Sequence, residues 1–218
     1  TKRVILKRLS TASDDFHLLS ARIRIASEEI ELMRTNRLMA PLLGVLDPFI
    51  DQMKEIDAQL GAASVLTHLI PELFGLEGDR THLLLFLNND ELRPGGGFIG
   101  TYGLLRVRDG EVKSLETKDV YALDDAATAF MKTIPPEPLS KYNATTTWFF
   151  RDANWSPDFA ASAKQSIALF EEESKSSVHI DNLIGFTPSL GSALLSYLGP
   201  VQAGGQTFTS KNVPDLDN

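Results

Sequence analysis

No cysteine occurs among the 218 residues, which excludes a disulfide framework, a thiolate nucleophile and a Cys-based zinc site. No run of about 18 apolar residues occurs, and the start has no signal-peptide apolar segment, so nothing in the sequence itself spans a bilayer. Basic charge is in deficit. The 21 Lys and Arg stand against 29 Asp and Glu, a formal charge of -8. A general nucleic-acid or anionic-membrane surface needs clustered cations, so no nucleic-acid partner is expected, although a local basic pocket remains open. The four histidines, at 17, 68, 82 and 179, are dispersed with none at metal-ligand spacing, and all four read as structural. No serine lies in a G-x-S-x-G elbow, which leaves a hydrolase triad unsupported.

What is present is ordinary globular material, 43% hydrophobic and 23% charged, enough for one α/β domain with helical extras. The chain opens on Thr1-Lys2-Arg3 without a Met, which reads as the interior of a longer protein whose membrane anchor lies upstream. From Leu6 to Phe74 apolar residues such as Leu9, Phe16, Leu19, Ile23 and Ile30 recur at helical spacing. Two or three amphipathic helices are expected, broken at Ala40-Pro41, Gly61 and Gly75, with Pro48 in or near a first turn. Residues 1–78 are therefore a helical neck, whose basic start (Lys2, Arg3, Lys7, Arg8) also suits a membrane surface. Residues 79–218 are the α/β domain, expected to continue beyond the last residue.

Within that domain, His82–Leu87 is a short continuous apolar run, the pattern of a strand buried on both faces and hence of a sheet centre. A second strand is expected from Phe98 to Val107, and Asp109-Gly110 turns it into Val112–Lys118 as a hairpin. A Pro-rich loop follows at Ile134–Pro138. Thr147–Phe150 reads as another strand, followed by a helix capped by Ser156 with Pro157 in its first turn and Phe159, Ala163, Ile167 and Phe170 on its apolar face. Ile180–Phe186 is a further strand. Thr187-Pro188 opens a second helix whose stripe is Leu190, Leu194 and Leu198, closed by Gly199-Pro200. This alternation predicts a central mixed, partly parallel sheet with flanking helices.

Two polar clusters carry the candidate chemistry. The first, Asn88, Asn89, Asp90, Glu91 and Arg93 with the glycines at 95–97, follows the carboxyl end of the central strand, where open α/β sheets place ligands. Glycines let a backbone approach an anion, and an arginine fork suits phosphate. Gly95, Gly97 and Gly100 match G-x-G-x-x-G literally, but a dinucleotide fingerprint opens a helix and Gly100–Leu105 reads as strand. The second cluster is Arg151, Asp152, Asn154, Trp155 and Asp158, between a strand end and a helix start, where backbone N–H groups favour anions. Both clusters also have a plain reading, as a polar turn and a local ion pair. Their expected convergence in one cleft favours a ligand site.

The run Leu84–Leu105, with Asn88-Asn89-Asp90-Glu91-Leu92-Arg93-Pro94-Gly95-Gly96-Gly97-Phe98-Ile99-Gly100-Thr101-Tyr102-Gly103, resembles a bacterial family catalogued as a domain of unknown function, number 4012. Phe150–Phe159 and Ile180–Val201 fit the same family, and the likeness covers roughly Thr81 to Val213. Members carry a membrane anchor and a helical segment upstream, which implies an extracytoplasmic, membrane-anchored envelope protein. More distantly, the family is similar to the LytR-CpsA-Psr phosphotransferases, which move lipid-diphosphate-linked glycopolymers onto peptidoglycan. The apolar strand, Asp90, Arg93-Pro94-Gly95, second strand and hairpin echo their opening, and Arg151 to Asn154 and Gly199-Pro200-Val201 echo later parts. The sequence departs from theirs where an Arg-Ser-Asp-Thr helps hold magnesium: here stands Phe98-Ile99-Gly100-Thr101, with only Thr101 retained. Their Pro-Arg-Asp is Thr117-Lys118-Asp119, a lysine replacing a bidentate arginine.

The resemblance implies a partner that is an anionic or polyprenyl-diphosphate-linked glycan, with Arg93 and Arg151 on phosphate and Asn88, Asn89, Asp90, Thr101, Asn154 and Asp158 lining the site. Catalysis would fall to Glu91, Asp119 or Asp152, with magnesium as the cofactor to test. The alternative is a non-catalytic scaffold that holds envelope partners. An apolar tunnel beside the arginines favours the lipid-diphosphate reading, and a closed, ion-paired cluster favours the scaffold.

Overall fold

The computed structural model describes residues 1–33, 44 and 47–213, so the expected break at Ala40-Pro41 lies outside it. The chain divides into two compact units: residues 1–79 with the hairpin tip 107–111, and residues 80–106 with 112–218. In the first, helix α1 (Lys2–Met33) packs along α2 (Asp47–Leu73). Pro48 sits in the first turn of α2, where its missing N–H costs nothing. Gly61 does not break the helix as expected. One interior glycine costs about 1 kcal/mol, and packing of α2 along α1 outweighs it. Small side chains mark the close approach: Ser13 Oγ donates to the Ser64 carbonyl, and Ser20 Oγ to Asp57. Past the helix end, Gly75 adopts φ +69, and its carbonyl receives the Asp109 N–H at 3.0 Å.

The second unit is built on a mixed, partly parallel sheet, strand order β3-β2-β1-β4, from β1 (Arg80–Asn88), β2 (Phe98–Arg108), β3 (Glu111–Asp119) and β4 (Asn182–Phe186). The strand expected to be central, β1, is interior and pairs in parallel with β4, from His82 with Asn182 to Phe86 with Phe186. The Asp109-Gly110 turn has positive φ at both residues, 53 and 78, the geometry that matches strand twist in a two-residue hairpin.

Helix α3 (Val120–Ala127) follows β3 and is capped by Asp119. Then come α4 (Glu137–Asn143), a 3-10 turn (Phe150–Asp152), α5 (Phe159–Ser174), α6 (Pro188–Leu198) and a two-stranded ribbon of β5 (Val201–Ala203) and β6 (Gln206–Phe208). The core gathers Leu83, Leu85 and Leu87 of β1 with Ile99, Tyr102, Val120, Met131, Phe150 and Phe170. Edge-to-face packing joins Tyr102 to Phe150 and Phe170 at 5.6 and 5.5 Å between centroids.

Two expectations fail here. Thr147–Phe150 is not a strand, because its N–H donors bond elsewhere: Trp148 N–H to the Thr133 carbonyl at 2.8 Å, and Phe150 N–H to the Glu173 carboxyl at 2.5 Å. Helix α5 begins two residues later than expected, with Asp158 as its cap, accepting from the N–H groups of Ala160 and Ala161. Its buried face is Ser162, Ser166, Leu169, Phe170 and Glu173, while Phe159 is half exposed.

Candidate functional site

The connection Asn89–Gly97 leaves the carboxyl end of β1 and is stitched to the segment after the 3-10 turn. Gly95 N–H donates to the Asn154 carbonyl at 3.1 Å, and Asn154 Nδ2 donates to the Gly97 carbonyl at 2.6 Å. Glycine is required there. A Cβ on Gly95 would lie 2.7 Å from the Asn154 oxygen, and one on Gly97, at φ +135, would lie 2.3 Å from the Asn88 oxygen. The two polar clusters singled out in the sequence therefore meet, although the second leaves a 3-10 turn rather than a strand.

Where they meet, opposite charges alternate from the surface inward. Arg93 Nη2 donates to Glu91 at 2.9 Å, and Arg93 Nε lies 3.6 Å from Asp152 with no hydrogen bond of its own. Asp152 lies 3.6 Å from Arg151 Nε, and Arg151 Nη1 donates to Asp124 at 2.9 Å. The aromatic rings of Tyr121 and Phe149 flank the Arg151 guanidinium at 5.5 and 5.2 Å, and Arg93 lies over Phe98 at 5.4 Å. The row ends on Glu173. Its second oxygen and the second oxygen of Asp124 have no hydrogen-bond partner, and two carboxyls in one buried site keep a proton on one of them. Burial and then Asp124 push the Glu173 carboxyl up to about 9, so it holds that proton at neutral pH. Burial also raises Asp124 and Asp152, with Arg151 opposing in both. With Glu173 neutral, Arg93 and Arg151 face three carboxylates, Glu91, Asp152 and Asp124.

Beside this row lies a cleft of about 530 Å3 at the carboxyl ends of the parallel strands β1 and β4. Its walls are mainly apolar, with Phe86, Leu87, Phe98, Phe186 and Pro188, while Asn88, Glu91 and Thr101 supply polar groups. Phe86 and Phe186 stack at 5.8 Å. Phe98 belongs both to the cleft wall and to the Arg93 stack, so the arginine and the apolar space adjoin. The side chain of Gly100 is the space itself: nothing lies within 4 Å of where its Cβ would be.

The remaining expected site residues have local work. Asn88 Oδ1 accepts from Asp90 N–H, and Asn89 and Asp90 are exposed on the turn. Asp119 accepts from Tyr121 N–H at 2.7 Å and Asp158 caps α5, so both carboxylates serve helix starts. Asp124, Glu173, Tyr121 and Phe149 were not anticipated. The signal for Glu173 was available, since Glu171-Glu172-Glu173 stands in the last turn of a helix, where a carboxylate opposes the dipole. Among the described residues no three His, Asp or Glu side chains gather as metal ligands; Glu91, Asp152 and Asp124 are engaged with arginines, and Asp119 and Asp158 with helix starts. Magnesium held here would rely on Asp90 or on a carboxylate released from its arginine, with substrate phosphates completing its shell.

The family described as a protein of unknown function, DUF4012, matches residues 77–216. The chain belongs to the DUF4012 family. No curated protein and no solved structure matches it. Both polar clusters, the cleft and the buried acid pair lie inside the DUF4012 match.

Proposed function

We propose that this DUF4012 domain is an extracytoplasmic cell-envelope module that binds a polyprenyl-diphosphate-linked glycan without transferring it. The carrying observation is the apolar cleft at the carboxyl ends of β1 and β4, adjoining Arg93. Its volume falls in the ~300–1,000 Å3 range of ligand sites. Apolar walls suit a prenyl chain, and Arg93 is the cation that can turn to the diphosphate. Its partner Glu91 is half exposed, so an incoming anion can displace that carboxylate from Arg93 Nη2 while Nε stays beside the buried Asp152. Arg151 cannot be released in the same way, because its partner Asp124 is 1% exposed and would be left as a buried charge. The shared order of parts with the LytR-CpsA-Psr enzymes supports the same ligand class and an anchored, extracytoplasmic position. The pairing of Glu91, Asp152 and Asp124 with arginines speaks for binding over phosphoryl transfer.

A second reading, a scaffold for envelope partners, draws on the stripe expected on α6. Leu194 and Leu198 are 43% and 77% exposed there, and Tyr197 90%. Calorimetry with farnesyl diphosphate and farnesol separates the two. The binding reading expects saturable binding of the diphosphate, weaker binding of the alcohol, and loss of both in Gly100→Leu, which fills the cleft where open space exists. No binding of either by a folded wild-type chain leaves the scaffold.

A further inference from the structure

Helix α1 carries an exposed surface that a monomer does not need. Val4, Ile5, Leu18, Leu19, Ile25 and Met33 are each 46–61% exposed, on the side of the helix away from its buried residues Leu6 and Ser13. A helix face that only meets water is normally polar. These residues fall into two columns with a period of seven, Val4, Leu18 and Ile25 on one flank and Ile5, Leu19 and Met33 on the other. Between the columns run four exposed charges, also seven apart and alternating in sign: Arg8, Asp15, Arg22 and Glu29.

The charges choose the partner and its direction. A parallel, in-register pair would set Arg8 against Arg8 and Asp15 against Asp15. An antiparallel pair related by a two-fold axis sets Arg8 against Glu29 and Asp15 against Arg22. The same operation puts Leu18 and Leu19 against their own counterparts at the axis, Ile5 against Met33 and Ile25 against Thr11, and each charge meets its opposite. Such a contact is isologous and closed, and a 32-residue helix offers it over about 48 Å. We propose that two copies of this chain associate through the outward face of α1, antiparallel about a two-fold axis.

Sedimentation velocity over a concentration series of the 218-residue chain tests this, with circular dichroism confirming folding of each variant. The expected result is a reversible monomer–dimer equilibrium. Asp15→Arg should weaken it roughly tenfold or more, because symmetry creates the like-charge contact twice, and adding Arg22→Asp should restore it. Because the chain has no cysteine, Leu19→Cys should cross-link on oxidation. Ile5→Cys should not, its two copies lying about 42 Å apart along the antiparallel pair. A monomer at every concentration overturns the proposal, whether or not that monomer binds lipid vesicles. A dimer that cross-links at residue 5 as readily as at 19, or that the double reversal does not rescue, overturns the antiparallel arrangement.

Discussion

Arg93 and Arg151 look equivalent in sequence, each beside an acid, but their surroundings give them different work. Arg93 holds an exposed Glu91, whereas Arg151 neutralises Asp124 inside the core. Removing one partner of a buried pair costs about 3–5 kcal/mol, so Arg151→Ala should lower unfolding free energy by about that much. Arg93→Ala should cost about 1–2 kcal/mol and instead erase the preference for farnesyl diphosphate over farnesol. Urea titration and calorimetry on both variants check the contrast.

Glu173 makes a pH prediction whose sign follows from its raised folded value of about 9. The folded state keeps a proton that the unfolded chain releases near pH 4.3, so stability falls as pH rises from about 5 to 9 and levels off above. Glutamine can accept from Phe150 N–H and donate to Asp124 without releasing a proton. Thermal unfolding of Glu173→Gln should therefore decline less over this range, with the advantage over wild type widening toward pH 9. Asp124 and Asp152 are raised too, so some decline should persist. At Gly97 the issue is backbone. Gly97→Ala puts a Cβ into the Asn88 carbonyl at an unfavourable φ, and a loss of about 1–3 kcal/mol is expected, measurable by the same titration.

At the scale of elements, the sequence was most legible where one local signal sufficed. The apolar run of β1, the Asp109-Gly110 turn and the Thr187-Pro188 cap announce themselves within a few residues, and each stands within two residues of its expected place. The two polar clusters meet as expected, although the second leaves a 3-10 turn and not the strand end on which the expectation rested. Thr147–Phe150 was not legible, since its composition is that of a strand and only distant acceptors, Thr133 and Glu173, take its donors. The inward face of α5 was hidden for a related reason. Ser162 and Glu173 are buried against polar partners, the Ser156 carbonyl at 2.8 Å and the Phe150 N–H, and periodicity of apolar residues cannot find such a face.

For the molecule as a whole, the net charge of -8 and the site now agree. A chain poor in cations spends both arginines of the site on its own carboxylates, and only Arg93 holds a partner weak enough to exchange. On the proposed reading, affinity for a lipid-linked anion comes from the apolar cleft first and from charge second. The most direct test is calorimetric titration of farnesyl diphosphate into the wild-type chain and into Gly100→Leu, with and without magnesium. Saturable binding that does not need magnesium and is lost when the cleft is filled is the expected result. Binding that survives in Gly100→Leu, or no binding to a folded wild type, would contradict the account.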